Sequence, residues 1–186
     1  MITTRDIAYG LFGAWRLAHR DKGGMSYIDT SVEGYWKSFF AGAIVLPGFV
    51  MIEMLRATVS PEAAPTASFS SVALAFLVAY VCRWIAFPFV MLFVAETIDR
   101  SERYIGYIVA FNWAKVIQIA ILLPVSALVA VTEAAPFSRI ALAGVWFAIL
   151  AYLWYIARTA LDVSGVIAVG LVALELMLIA IIEGVV

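Results

Sequence analysis

Cysteine and histidine are nearly absent from this chain: among 186 residues there is one of each, Cys82 and His19. A lone cysteine cannot close an internal disulfide. A single histidine beside a single cysteine offers no zinc, haem or iron–sulfur ligation pattern, and it makes a Ser/His/Asp set improbable. Glycine-rich phosphate loops are missing too, since Gly10 and Gly13 fall within a helical pattern. Charge is scarce: 13% of residues are Asp, Glu, Lys or Arg, against about 25% in an ordinary soluble domain. No basic tract suggests nucleic acid, and the net charge of −1 points to no partner. These absences lead to the expectation of a protein without cofactor, metal or catalytic set, and hence not an enzyme.

What the chain has instead is apolar length. Hydrophobic residues make up 65% of it, and the mean hydropathy is +1.03. That leaves no room for a separate soluble domain. The fold class expected is all-α, a polytopic transmembrane bundle of five spanning helices preceded by an amphipathic interfacial helix. Residues 1–30 would form the surface helix and a turn, and residues 31–186 the membrane domain. Met1–Asp6 opens with charge and lacks an apolar run with a cleavage site, so no cleavable signal is expected there.

Thr3 and Asp6 fit a capping box. Beyond them Ile7, Leu11, Ala14, Trp15 and Ala18 recur at three- and four-residue spacing, with Phe12 at the border and Arg5, Tyr9, Arg16 and Arg20 opposite. The pattern predicts a helix lying along a membrane surface; packing on one end of the bundle would give a similar pattern. His19 falls at its polar margin. After a turn over 21–29, Thr30 and Glu33 offer a second capping box, and Tyr35, Trp36 and Lys37 suit a headgroup boundary. The spans are predicted at about 38–55 (interrupted at Pro47 and Gly48), 69–95, 104–131, 137–160 and 163–186. Residues 56–67, with Pro61 and Pro65, are predicted as a loop.

The longest apolar run, 69–95, carries Arg83 near its middle, Cys82 as a small packing residue, and Pro88 as a kink. Its 27 residues as a helix span roughly 40 Å, more than a hydrocarbon core of about 30 Å. An arginine at that depth costs about 2.5–3.5 kcal/mol or more unless it is paired or hydrated. Orientation follows from basic residues. With the N-terminus inside, Arg5, Arg16, Arg20, Lys22, Lys37, Arg100, Arg103 and Arg158 are cytoplasmic, whereas Arg56 and Arg139 lie outside. The positive-inside rule then predicts a cytoplasmic N-terminus and an external C-terminus.

Depth can be counted on that topology. Arg83 lies roughly 18 Å, Lys115 roughly 16 Å and Glu175 roughly 18 Å from the cytoplasmic ends of their runs. Asn112 and Gln118 flank Lys115 by one turn on either side. Arg83, Asn112, Lys115, Gln118 and Glu175 therefore form a candidate buried polar cluster, with Glu175 as counter-ion to Arg83, Lys115 or both. Such a cluster could fix helix register. Its surplus positive charge could instead hold a phosphate, carboxylate or lipid headgroup, or Lys115 could titrate or snorkel to the surface. A second set, Glu53, Arg56, Arg139 and Glu183, lies near the outer face, either as interfacial ion pairs or as a cation entry site. Small residues repeat on two helices, Gly106, Ala110 and Ala114 on one and Ala141, Gly144, Ala148 and Ala151 on the other. Such rows let helices approach closely.

The layout resembles the Yip1-type membrane family. Tyr107–Trp113, followed by Leu122–Pro124, is similar to that family's middle segment, and Leu153–Ser164 to its fourth-to-fifth connection. The likeness covers about residues 35–186 and implies a small bacterial-type inner-membrane protein, with no catalytic residue to carry over. The Asp-Leu-Tyr-Gly-Pro motif of eukaryotic members is absent. The function expected is a membrane accessory or scaffold protein that packs against lipids and membrane proteins as a homo- or hetero-oligomer. The alternative is a small solute or ion transporter or channel using the buried cluster.

Overall fold

The computed structural model describes residues 2–59 and 69–185, and its secondary structure is helical throughout, with no strand among those residues. α1 is Thr4–Ala18, α2 Val32–Ser38, α3 Phe40–Val59, α4 Phe69–Thr97, α5 Tyr104–Val131, α6 Pro136–Leu161 and α7 Gly165–Val185, with short 3₁₀ turns at Lys22–Tyr27 and Ser101–Arg103. Five helical stretches are long and apolar enough to cross a membrane: Val32–Val59, Ser70–Thr97, Ser101–Val131, Pro136–Leu161 and Gly165–Val185. The 21 residues of the shortest rise about 31 Å as a helix, which matches a hydrocarbon core. By length and composition this is a multi-pass membrane protein.

Several local expectations are revised. The second helix start is capped by Ser31, whose side chain accepts from Gly34 N–H at 3.0 Å, rather than by Thr30. Glu33, freed from that role, pairs with Lys37 at 2.8 Å. The first span begins earlier and is not broken at Pro47, which sits inside continuous α3. A spanning helix keeps its course through a proline because the remaining backbone bonds have no water to turn to. Helix also continues through Arg56–Val59, where a loop was expected; Pro61 and Pro65 lie outside the described residues. Cys82 is exposed rather than packed.

α5 is the axis. Its stretch from Gly106 to Ala114 is buried throughout, with α3, α6 and α1 against it. α7 packs on α6 and α4, while α4 touches α5 only sparingly. The buried stripe of α4 is Tyr80, Trp84, Phe87, Met91 and Ala95, the three- and four-residue spacing of one helical face. Tyr80 Oη donates to Gly42 O at 2.6 Å, and Tyr104 Oη donates to Pro88 O at 2.9 Å, so two tyrosines tie α4 to its neighbours.

α1 packs against the first half of α5. The Thr3–Asp6 capping box is present, and Ile7, Leu11 and Ala14 of the predicted stripe pack inward, but the fully buried face is centred on Gly10, Gly13, Ala14 and Leu17, and Trp15 is turned away from it. Trp15 is exposed and sits against His19, with ring centroids 4.3 Å apart. The two glycines decide this rotation. A Cβ at Gly10 would lie 2.4 Å from Trp113 Cε2, and one at Gly13 2.9 Å from Gly24 O. The helix thus turns its flattest side inward. Tyr152 Oη donates to Ala14 O at 2.7 Å and Tyr155 Oη to Arg20 O at 2.6 Å, which anchors α1 to α6.

Candidate functional site: charge pairs around an intramembrane cavity

The inward stripe of α7 runs Ala168, Leu171 and Glu175, then Leu178 and Ile182. Glu175 occupies a position that an aliphatic residue would otherwise fill, and it is 4% exposed. Lys115, on the face of α5 turned toward it, places Nζ 3.0 Å from Glu175 Oε1. The same ammonium stands 4.3 Å from the centroid of the Phe111 ring and 6.0 Å from that of Trp84. A carboxylate and an aromatic face together replace much of the hydration lost on burial.

Arg83 does not share Glu175. Its Nη2 is bound to Glu183 Oε1, and its guanidinium carbon lies 5.2 Å over the Phe49 ring. Glu183 stays with Glu53 and Arg56 along one groove, yet reaches Arg83 from there, and the expected surplus of positive charge is cancelled by a second carboxylate. Geometry explains the correction. Eight residues separate Glu175 from Glu183, which turns the second carboxylate about 80° from the first, away from α5 and toward α4. Counted from the observed helix ends, Arg83 lies roughly 21 Å up α4 and Glu183 roughly 27 Å up α7. A long arginine side chain bridges that gap by snorkelling.

These residues surround a cavity of about 140 Å³ bounded by α3, α4, α5, α6 and α7. Its polar lining is Arg83, Lys115, Gln118 and Glu175, and its aromatic walls are Phe49, Tyr80, Trp84, Phe87 and Trp146. Two donors, Arg83 Nε and Gln118 Nε2, are buried without a hydrogen-bond partner. Asn112 is not part of this lining. It is 1% exposed, and its Nδ2 donates to Ser38 Oγ at 2.9 Å, joining α5 to α2 one turn nearer the α1 end.

On the far side of Arg83 a groove of about 170 Å³ is lined by Glu53, Arg56 and Glu183 together with Phe49, Tyr80 and Arg83. Glu53 and Arg56 pair at 3.4 Å. The last three residues of that lining are shared with the cavity, so the Arg83–Glu183 pair stands between the two spaces. Arg139 is exposed and lines neither space.

At the opposite end, Asp6 holds three partners. Its Oδ2 accepts from Thr3 N–H at 2.8 Å and Thr3 Oγ1 at 2.9 Å, and pairs with Lys37 Nζ at 3.0 Å. The Thr3 backbone donor first, then Lys37, lowers the Asp6 carboxyl to about 2. Asp21 is likewise lowered, by the Gly23 N–H and by Arg16.

The aromatic partners of the two cations were missed at the level of sequence, although Phe111 stands four residues before Lys115 and hence on the same face. Among the described residues no group of three or more His, Cys, Asp or Glu side chains could hold a metal ion. Compared with known proteins, the chain matches no protein-family model, no curated protein and no solved structure.

Proposed function

We infer that this is a non-enzymatic accessory or scaffold protein of the membrane, which works by packing a helix of another membrane protein against its own bundle. The contrast between its two small-residue rows carries the reading. Gly106 is covered by the N-terminal segment, where an added Cβ would meet Thr30 Cγ2 at 3.1 Å. On α6, an added Cβ at Gly144 would meet nothing within 4 Å, while Ile140 and Phe147 stand exposed on either side. A small-floored groove between two bulky side chains suits a second helix. The test is the mass of the full chain in mild detergent. An oligomer, or a co-purifying membrane protein, is expected; a bare monomer overturns the reading.

The finer placement belongs to the same proposal. α1 rests on the cytoplasmic face of a bacterial-type inner membrane and the C-terminus lies outside. Exposed Tyr9, Phe12 and Trp15 on α1 and the eight basic residues gathered at that end support it. The five-span count and the segments Tyr107–Trp113, Leu122–Pro124 and Leu153–Ser164 support a Yip1-type resemblance.

A second reading, transport of a small solute or ion, is favoured by the cavity that meets a charged groove at Arg83. It expects Arg83→Ala or Glu175→Gln protein to fold normally and lose flux in liposomes. Variants that lose only thermal stability would remove it.

A further inference from the structure

Both cations of the buried cluster already have carboxylates, yet two side chains that line the cavity beside them carry buried donors without acceptors. We propose that this cavity is a binding site for an uncharged, membrane-soluble molecule whose compact head carries carbonyl acceptors. The inference stands apart from the helix-docking reading, since no residue of the α6 groove takes part in it.

Four observations converge. The first is charge: Lys115 is matched by Glu175 and Arg83 by Glu183. An anionic head would face Glu175, and a cationic one Lys115 and Arg83, without a free counter-charge for either. The second is hydrogen-bonding sense. Arg83 Nε and Gln118 Nε2 are buried and unpartnered, and an arginine nitrogen can only donate. A buried donor without an acceptor is costly, so the ligand that relieves it brings an acceptor oxygen. The third is size. A cavity of about 150 Å³ takes one benzene-sized ring, and this one measures about 140 Å³. Its walls, among them Phe49, Trp84 and Trp146, are flat surfaces for a ring or a planar ester. The fourth is access. The cavity shares Arg83 and Phe49 with the neighbouring groove, and Glu183, the partner of Arg83, has a side chain 51% exposed. The head would enter past that pair while its apolar tail stays in lipid.

Two natural sources present this chemistry, an isoprenoid-type quinone and the ester carbonyls of a neutral glycerolipid. The experiment uses the full chain in phosphatidylcholine nanodiscs, titrated separately with a short-chain alkyl benzoquinone, with dioleoylglycerol, and with alkyl ammonium and fatty-acid controls. Quenching of Trp84 and Trp146 and the thermal shift are read together. Saturable binding of either neutral probe, at least about tenfold tighter than both charged ones, supports the site, and the probe that binds identifies the source. Gln118→Leu is expected to weaken that binding about tenfold, the effect of one lost hydrogen bond. Because that variant also alters packing, Ala86→Phe serves as a second check. It fills the cavity, and is expected to abolish binding while the protein stays folded by circular dichroism. No saturable neutral binding, equal binding of a charged probe, or unchanged affinity in the folded Ala86→Phe protein would each overturn the proposal.

Discussion

Lys115 and Glu175, sixty residues apart in sequence, meet at 3.0 Å across the α5–α7 boundary, with Phe111 as the floor beneath the ammonium. The carboxylate is almost wholly buried, with its side chain 6% exposed, against 20% for the lysine. That asymmetry sets the consequences of breaking the pair. Lys115→Met leaves the buried Glu175 carboxyl without its counter-charge and is expected to cost about 3 kcal/mol. The double variant Lys115→Met with Glu175→Met replaces both by apolar volume and is expected to lie within about 1 kcal/mol of the parent. Reversible unfolding in mixed detergent, read as a double-mutant cycle, measures both. Additive losses would mean that the two residues are not coupled.

The other pair should behave differently. Glu183 has a side chain 51% exposed, within reach of the polar groups at the membrane boundary. Glu183→Gln is expected to change stability by no more than about 1 kcal/mol, because the Arg83 side chain can turn toward the same boundary. The same unfolding assay serves. A loss as large as that of Lys115→Met would show that Arg83 is held deep and has no alternative.

Burial depth could be read from the sequence, but rotation about each helix axis could not. Run length alone located five long helices, and counting from run ends put Lys115 and Glu175 level. The same counting set Arg83 level with them, because it treated a side chain as a point on its helix. What settled its partner was the direction in which α7 points position 183, and the reach of a guanidinium. On α1, Trp15 was misplaced for a related reason. Hydrophobic spacing ranked Trp15 as inward-facing, whereas the helix seats itself on Gly10 and Gly13, residues that carry no hydropathy signal but permit the closest approach. The cavity had no signature of its own, since its aromatic lining is drawn from three helices, one residue each from α3 and α6 and three from α4.

The seat of α1 is sensitive to volume. An added Cβ at Gly10 would come within 2.4 Å of the Trp113 indole. Trp113 is 3% exposed, so the ring has little room to retreat. Gly10→Val is expected to cost about 1–3 kcal/mol by overpacking and to lift α1 from the bundle. Limited proteolysis near residues 20–24 should become faster, while the five long helices keep their far-ultraviolet signal. Unchanged proteolysis would place α1 elsewhere.

Acid should loosen the same end of the molecule. Asp6 titrates at about 2 in the folded chain against 3.8 for the free residue. A carboxylate whose folded value is depressed contributes stability that is complete above its unfolded value and fades as pH falls through the folded one. The attachment of α1 through Thr3 and Lys37 is therefore expected to be constant above about pH 4.5 and to weaken progressively between about pH 4 and pH 2. Hydrogen exchange at Asp6 and Ile7 follows it directly. In Asp6→Asn protein that segment should exchange faster at neutral pH and lose most of this acid dependence. An unchanged acid response would assign the effect to Asp21, which is also held low.

One substitution made at two glycines separates internal packing from external docking. Gly106 and Gly144 both sit in rows of small residues, on α5 and α6 respectively. Gly106 is buried, with Thr30 and Met25 closing over it, whereas Gly144 is open. Leucine at 106 must displace the N-terminal segment, so lower thermal stability is expected with the association state unchanged. Leucine at 144 meets nothing within the chain, and replacing a helical glycine removes a penalty of up to about 1 kcal/mol. Stability is therefore expected to hold or rise slightly. Its effect should fall instead on association, since the new side chain fills the groove between Ile140 and Phe147 where a partner helix would lie. Thermal melting and detergent-solubilised mass, measured on both variants, form a two-by-two comparison. The docking reading requires Gly144→Leu to shift the mass and spare the melt, and a Gly144→Leu protein that keeps both at parent values would leave α6 facing only lipid.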